Sequence, residues 1–262
     1  MNQTIEVWHA TAAVDRPGPV EQWCERFLNA EDRRRADQFR RPTTRNQHVV
    51  GRGMAKRLIG GGSAGPDDWI YHDLPGGKPR LRSSSAVGTS TVATDAAFNV
   101  SHTEGLVVCG IVRGEPSSGD HWIGIDVERG DRRIDLAMTE RYFAKPEIEF
   151  VRDQPTERAA KEAFLRIWTL KESFIKAIGT GLRTPLADFT FDRVDTSKPT
   201  IRFLDNRLAI AAGGSADQWQ FASLQPRPGF IAAVGVRSGG PVQTVLQDFD
   251  ALVETADGPL DQ

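Results

Sequence analysis

The sequence lacks the features that mark several large classes of protein. Its only two cysteines, Cys24 and Cys109, lie in apolar surroundings without metal-ligand spacing, which indicates reduced packing residues in a cytoplasmic protein. No apolar run approaches the ~18 residues of a transmembrane helix, and the N-terminus has no basic stretch followed by an apolar one. We therefore expect neither a membrane span nor a signal peptide. The net charge of −2 gives no reason to expect binding to nucleic acid or to a membrane surface.

Two further absences narrow the chemistry. The sequence contains no G-x-x-x-x-G-K-[ST] loop, so a P-loop nucleotide-binding enzyme is not indicated. It also contains no His/Cys cluster of the kind that binds zinc. What it does contain is 262 residues, of which 39% are hydrophobic. That is enough to bury the core of one large domain or of two small ones.

Sequence patterns recur in the same order in the two halves of the chain. Each half has a strand, a turn and a nearly all-apolar strand ending in arginine, preceded by a Lys-Pro pair and a short stretch ending in glycine. The matched pairs are 98–113 with 221–237, Lys78-Pro79 with Lys198-Pro199, and 56–60 with 175–179. Their offsets lie between 119 and 124 residues. An interval this long indicates a duplicated domain, because solenoid repeats have periods of ~20–50 residues.

This recurrence predicts the fold class. We expect an α+β fold of two similar lobes related by a pseudo-twofold axis, each a small antiparallel sheet with packed helices. The predicted boundaries are 1–116 for the N-terminal lobe, 117–238 for the C-terminal lobe, and 239–262 for a peripheral tail with a short helix near 242–253. The junction of two lobes is a natural cleft for a ligand. Because one chain completes that cleft, we expect a monomer.

Two carboxylates stand on one face of a predicted strand. Residues 122–128 (WIGIDVE) alternate, so that the apolar side chains face one way while Asp126 and Glu128 face the other. Like charges this close need a cation, a shared proton or open water. The motif alone therefore fits either a solvated strand face or a metal site.

A predicted helix over 157–178 carries charged residues beside its apolar stripe. Lys171 lies within the stripe, Glu172 lies at its edge, and Lys176 follows Glu172 by four residues on the same face. One interpretation is a surface Glu–Lys pair. The other is that Glu172 joins Asp126 and Glu128 around a hard cation while the two lysines meet an anionic ligand. Three carboxylates suit Mg²⁺, which binds protein carboxylates together with phosphate oxygens.

Basic residues are concentrated in the first half of the chain. Between residues 30 and 57 there are nine lysines and arginines but only three acids. On a helix, Arg45, Arg52 and Lys56 would form one stripe, either as a solvated basic face or as a phosphate-binding face. The turn at 75–79 (PGGKP) presents Lys78. His102, at a strand end, could donate to a phosphate, although a lone histidine is more often structural.

Several of these motifs together resemble the 4′-phosphopantetheinyl transferase superfamily, specifically its large monomeric class, which is typified by the surfactin-synthetase activating enzyme. The resembling segments are 77–79 (GKP), 98–102 (FNVSH), 124–128 (GIDVE), 141–143 (RYF) and 168–176 (WTLKESFIK) with Gly181. They follow the order of the family. The resemblance implies a pseudo-symmetric, two-lobed fold and transfer of phosphopantetheine from coenzyme A to a serine of an acyl or peptidyl carrier protein, releasing 3′,5′-ADP.

The resemblance also implies roles for individual residues. Asp126, Glu128 and Glu172 would hold Mg²⁺, with Glu172 as the base, and Lys171 and Lys176 would contact phosphates. The coenzyme A site would be lined by Gly77, Lys78, Pro79, Ser101 and His102. Arg45 and Arg52, from the N-terminal lobe, would bind the 3′-phosphate. Two alternatives stay open: a metal-dependent phosphohydrolase or nuclease using the same carboxylates, and a non-catalytic coenzyme A sensor.

Overall fold

The computed structural model describes residues 3–62, 64–73, 78–84, 96–113 and 122–256. Within them the strands are β1 (Gln3–Thr11), β2 (Trp69–Asp73), β3 (Pro79–Ser83), β4 (Ala96–Thr103), β5 (Leu106–Arg113), β6 (Ile123–Arg129), β7 (Phe189–Asp192), β8 (Thr200–Phe203), β9 (Trp219–Leu224), β10 (Phe230–Arg237) and β11 (Val242–Asp248). The helices are α1 (Pro19–Cys24), α2 (Ala30–Ala36), α3 (Pro42–Gly60), α4 (Ala137–Tyr142), α5 (Lys145–Arg152), α6 (Glu157–Ile178), α7 (Asn206–Ala211) and α8 (Phe249–Ala256). The predicted α+β class is confirmed.

Two sheets form the centre of the molecule. One has the strand order β11-β1-β5-β4 and the other has the order β6-β10-β9. All pairings within them are antiparallel except that of β1 with β11, which is parallel. Apolar side chains from both sheets, among them Val7, Val108, Ile125 and Val234, are fully buried in a single cluster. This shared core fixes β4 of one sheet beside β6 of the other.

The two halves of the described chain share a series of elements, although α7 has no counterpart among the described residues of the first half. A strand (β1 or β6) is followed by a long helix (α3 or α6), a hairpin (β2–β3 or β7–β8) and an antiparallel pair (β4–β5 or β9–β10). In each sheet the last strand of this series lies between the first strand and the remaining one. The pseudo-twofold relation between the lobes stays a prediction, and the predicted boundary between residues 116 and 117 lies outside the described residues.

The segment after residue 238 is not a peripheral tail where the structure describes it. Strand β11 extends the N-terminal sheet, with registers from Gln3 opposite Val242 to His9 opposite Asp248. Helix α8 then buries Phe249 completely, in edge-to-face contact with Trp23. The helix predicted near 242–253 therefore begins only at Phe249. Pairing with β1 is a non-local contact, and it decides the conformation of a segment rich in β-branched residues.

Helix α6 has the bounds that the sequence predicts. Thr156 caps its start by accepting a hydrogen bond from the Ala159 amide, and Gly179 ends it with a left-handed backbone (φ 71°). Phe164, Ile167 and other residues of its apolar stripe are buried in the core of the C-terminal lobe. Of the helices in the described ranges, none is long and apolar enough to cross a membrane.

Candidate active site

A close approach of α6 to β6 builds the site. Gly124 faces the helix backbone, and a Cβ atom there would overlap the carbonyl oxygen of Ser173 and crowd the amide of Ala177. Only glycine permits this spacing. Because side chains alternate along a strand, Asp126 also faces the helix. Its partner is Lys176, which lies one residue before Ala177 on α6.

Asp126 is the centre of a small polar network. Its Oδ1 atom lies 2.6 Å from the Lys176 ammonium and accepts a hydrogen bond of 2.9 Å from the Ser101 hydroxyl. Lys176 also donates to Ser101 Oγ at 2.9 Å. The other carboxylate oxygen, Oδ2, is buried and has no hydrogen-bond partner among the described residues. A buried carboxylate oxygen without a partner is costly unless a ligand or cation completes it.

Glu128 and Glu172 lie close enough to Asp126 to repel it. Burial is the largest cause that raises the pKa of each glutamate, and the charge of Asp126 is the next. The Arg132 guanidinium pairs with Glu128 and opposes the rise of its pKa. For Glu172 the opposing charge is Lys176. The structure therefore brings together the three predicted carboxylates and balances them with two basic side chains.

The donors suit a hard divalent cation. All three carboxylates carry oxygen atoms of the kind that Mg²⁺ prefers, and the buried Oδ2 atom of Asp126 is an acceptor in need of a partner. No set of three His, Cys, Asp or Glu side chains within the described ranges is already arranged as a metal site. Lys176 and Arg132 hold two of the carboxylates instead.

Two of the predicted coenzyme-binding residues, Lys78 and His102, lie close to this group of carboxylates. His102 is exposed at the end of β4, where desolvation and the Lys176 charge lower its pKa while Asp126 opposes the shift. Lys78 donates to the carbonyl oxygens of Ile123 and Ala177, at 2.8 and 3.0 Å, and so joins β6 to α6. Pro79 begins β3 directly after it. The predicted contact residue Gly77 lies outside the described residues.

Lys171 does not reach these carboxylates, so its predicted contact with phosphates requires correction. Its side chain is completely buried, and its ammonium lies 2.8 Å from the carboxylate of Glu147. It also donates to the carbonyl oxygens of Leu186 and Phe189, at 2.8 and 2.7 Å. A charged residue in an apolar stripe needs a partner, as the sequence indicates, but that partner is an internal acid and not the ligand.

The basic stripe of α3 is neutralised by acids that precede it in the chain. Arg52 and Lys56 both pair with the buried carboxylate of Asp32, at 2.9 and 2.5 Å, and Arg52 also lies over the Tyr71 ring. The basic stripe of α3 is therefore neither a fully solvated face nor a phosphate site that is open along its whole length. Arg45 is more accessible and lines an open cavity of about 540 Å³ together with Arg40. Of the two predicted 3′-phosphate ligands, Arg45 has the more exposed side chain, at 30% against 15%, but Glu25 and Asp37 already pair with its guanidinium.

Two residues that complete the site are absent from the sequence-based predictions. Asn99 accepts a hydrogen bond of 2.9 Å from the Ile125 amide and so ties β4 to β6. Its alternation with Ser101 on one face of β4 is a signal that could have identified it. Arg132 follows Glu128 by four residues, but in a turn, where sequence spacing does not predict contact.

Known proteins with similar sequences share one activity name. The sequence model of the 4′-phosphopantetheinyl transferase superfamily matches residues 123–232, which contain β6 and α6. The 4′-phosphopantetheinyl transferase HetI of Nostoc sp. is 26% identical and aligns over 92% of this chain and 90% of its own. The 4′-phosphopantetheinyl transferase psf-1 of Bacillus pumilus is 32% identical over 69% of this chain and 70% of its own. The ffp transferase of Bacillus subtilis is 35% identical, over 61% and 63% respectively.

Proposed function

Because the chain belongs to the 4′-phosphopantetheinyl transferase superfamily, we propose that it moves 4′-phosphopantetheine from coenzyme A to a serine of an acyl or peptidyl carrier protein. The reaction releases 3′,5′-ADP and uses Mg²⁺. The observation that carries this proposal is the convergence of Asp126, Glu128 and Glu172 beside Lys176, with one carboxylate oxygen left buried and unpaired. A polyphosphate with its cation supplies the charges that this arrangement needs.

Asp126, Glu128 and Glu172 would hold the metal ion. When bound, Mg²⁺ offsets the charge of the coenzyme A pyrophosphate and stabilises its leaving group. Lys176 now bonds to Asp126 and Ser101, and its ammonium is within reach of a phosphate that enters beside them. His102 stands at the same edge, close to Lys176.

The chain's own residues can then carry the proton and the charge. The carrier serine oxygen forms a bond to the β-phosphorus of coenzyme A, and the bond from that phosphorus to the oxygen of 3′,5′-ADP breaks. Glu172 is the candidate base for the serine proton, because it is a carboxylate at the centre of the site beside Lys176 and Asp126. Lys176 donates to the phosphate oxygens as charge moves to the leaving group.

The coenzyme would extend from this centre across the N-terminal lobe. Lys78 lies directly beside β6 and α6, and Pro79 follows it into β3. Beyond them, Arg45 at the mouth of its cavity is the candidate for the 3′-phosphate. Arg52 is held by Asp32 and only 15% of its side chain is exposed, which favours a packing role.

Incubation with coenzyme A, Mg²⁺ and a panel of apo carrier proteins tests the reaction. We expect the intact mass of a carrier to increase by one phosphopantetheine group. That gain should disappear when EDTA removes the metal or when the carrier serine is replaced by alanine. Release of nucleotide without any carrier would instead indicate a hydrolase. Binding of coenzyme A without transfer to any carrier would indicate a sensor.

The carrier would dock beside the site, on the segment from Met138 to Phe150. This segment contains most of α4 and of α5, and it exposes Arg141 and Lys145 while burying Phe143. Carrier proteins of this family are expected to be acidic, so the attraction should be screened by salt.

We expect added sodium chloride to raise the KM for the carrier more than the KM for coenzyme A. Arg141→Gln should raise the carrier KM in the same selective way. Arg207→Gln, on the exposed surface of α7, removes one charge elsewhere and serves as the matched control. Equal effects of the two variants on the carrier KM would contradict this docking surface.

The two lobes would derive from a duplication and be related by a pseudo-twofold axis. The shared series of strand, long helix, hairpin and antiparallel pair in the two halves supports this origin. A single chain would then form the whole cleft between the lobes, as expected for a monomeric enzyme.

A further inference from the structure

The two carboxylates on β6, Asp126 and Glu128, each pair with a basic side chain, and these basic side chains come from different elements. Lys176 reaches Asp126 from α6, within the network that includes Ser101. Arg132 reaches Glu128 from the turn that follows β6. Glu128 keeps 15% of its side chain exposed, whereas Arg132 keeps 37%. The guanidinium therefore lies at the rim of the site, on a long side chain with room to move.

The charges around Glu128 make this pair a competitor for a cation. The Arg132 guanidinium pairs with the Glu128 carboxylate, which lies two residues from Asp126 on β6. A divalent ion that binds Glu128 takes the position of the guanidinium as its counter-charge. The displaced guanidinium then needs another anion, and a phosphate with its several oxygens is a good partner for the planar donor fork of arginine.

We propose that Arg132 competes with the divalent metal for Glu128 and is released to the pyrophosphate when coenzyme A binds. Arg132 would thus couple the binding of metal to the binding of coenzyme A. This inference rests on the proposed function, because it requires the three carboxylates to be the metal ligands. It assigns to Arg132 a positioning role, because this residue acts through Glu128 and is not itself one of the three proposed metal ligands.

The neighbouring Arg133 provides a matched control. It is exposed, and no ion pair is found for it among the described residues. Replacing either arginine with glutamine removes the same charge from the same turn. Only the change at Arg132 removes the counter-charge of Glu128. A difference between the two variants therefore reports the loss of the Arg132–Glu128 ion pair and not the loss of one positive charge near the site.

Mn²⁺ binding, measured from the paramagnetic resonance signal of the free ion, tests the proposal without any turnover. The wild type, R132Q and R133Q are titrated with and without coenzyme A. Without coenzyme A, R132Q should bind Mn²⁺ about fivefold more tightly than R133Q, the factor expected for loss of one partly exposed ion pair. Coenzyme A should then tighten Mn²⁺ binding less in R132Q than in the wild type, because coupling is reciprocal.

Failure of this inference is distinguishable from failure of the proposed function. D126N should lose Mn²⁺ binding in both conditions, with circular dichroism confirming its fold. If D126N binds Mn²⁺ like the wild type, the proposed metal site is wrong. If D126N loses binding but R132Q behaves like R133Q, the metal site stands and the competitor role of Arg132 is overturned.

Discussion

Replacement of Asp126 by asparagine is expected to lower kcat by about a thousandfold, equivalent to about 4 kcal/mol of barrier. The amide keeps the shape of the side chain but removes the charge that faces Lys176 at 2.6 Å and the buried oxygen that has no other partner. The orientation of Lys176 depends on that charge, and so would the binding of the proposed metal ion. The measurement is the initial rate of holo-carrier formation at saturating coenzyme A and Mg²⁺.

Asp131→Asn is the matched control for this variant. Asp131 lies on the turn after β6, with 67% of its side chain exposed, and it pairs with Arg129 at the surface. Its replacement removes one negative charge close to the site and should leave kcat near the wild-type value. The thermal unfolding of both variants shows whether the fold is intact. Turnover of Asp126→Asn close to that of Asp131→Asn would remove Asp126 from the catalytic centre.

Lys171→Met is expected to lower the free energy of unfolding by about 4 kcal/mol, because it leaves Glu147 as an uncompensated buried charge. Burial raises the pKa of Glu147 and lowers the pKa of Lys171, and the charge of each group opposes the shift of the other. Glu147 also accepts the amides of Ala144 and Phe191, so the pair joins α5, α6 and β7. Urea unfolding at neutral pH provides the measurement.

Lys161→Met tests whether any lysine on α6 would have the same effect. Lys161 pairs with Glu157 one turn away at 2.6 Å, but 74% of the glutamate side chain is exposed. Its replacement should cost less than about 1 kcal/mol. The double variant Lys171→Met with Glu147→Gln should recover part of the lost stability. If Lys171→Met has normal stability but a raised KM for coenzyme A, the predicted contact of Lys171 with phosphate would be supported and its structural role contradicted.

The centre of the site could be predicted because its residues lie on regular elements. The alternation of β6 places Asp126 and Glu128 on one face, and the four-residue spacing on α6 places Glu172 and Lys176 on another. What spacing could not show is that these two faces meet. That depends on Gly124, whose missing side chain lets α6 approach the strand.

The errors arose where a charge found a partner distant in sequence. Lys171 and Arg52 both read as ligands for phosphate, because each is basic and lies in or beside a conspicuous motif. The structure gives them internal acids, Glu147 and Asp32, on neighbouring helices. Sequence periodicity identifies the face that a charge occupies, but it does not identify which element packs against that face.

The segment beyond β10 was misjudged for the same reason. Its local sequence fits a short peripheral helix, and only the exposed edge of β1 makes a strand there favourable. Arg227, in the turn between β9 and β10, further secures it by pairing with Asp250 at 2.9 Å. Each of these contacts links parts of the chain that are far apart in sequence.

The parallel pairing of β1 with β11 also sets the order in which the protein is completed during translation. Among the described strands, β1 leaves the ribosome before the others, yet one of its two neighbours in the sheet, β11, is made after all of them. Until β11 emerges, the nascent N-terminal lobe carries an open strand edge and lacks the aromatic ring of Phe249 in its core. Unpaired edges promote association between chains. Of the two central sheets, the one that contains β1 is therefore begun first and completed last, and its β1 edge stays unpaired until β11 is made.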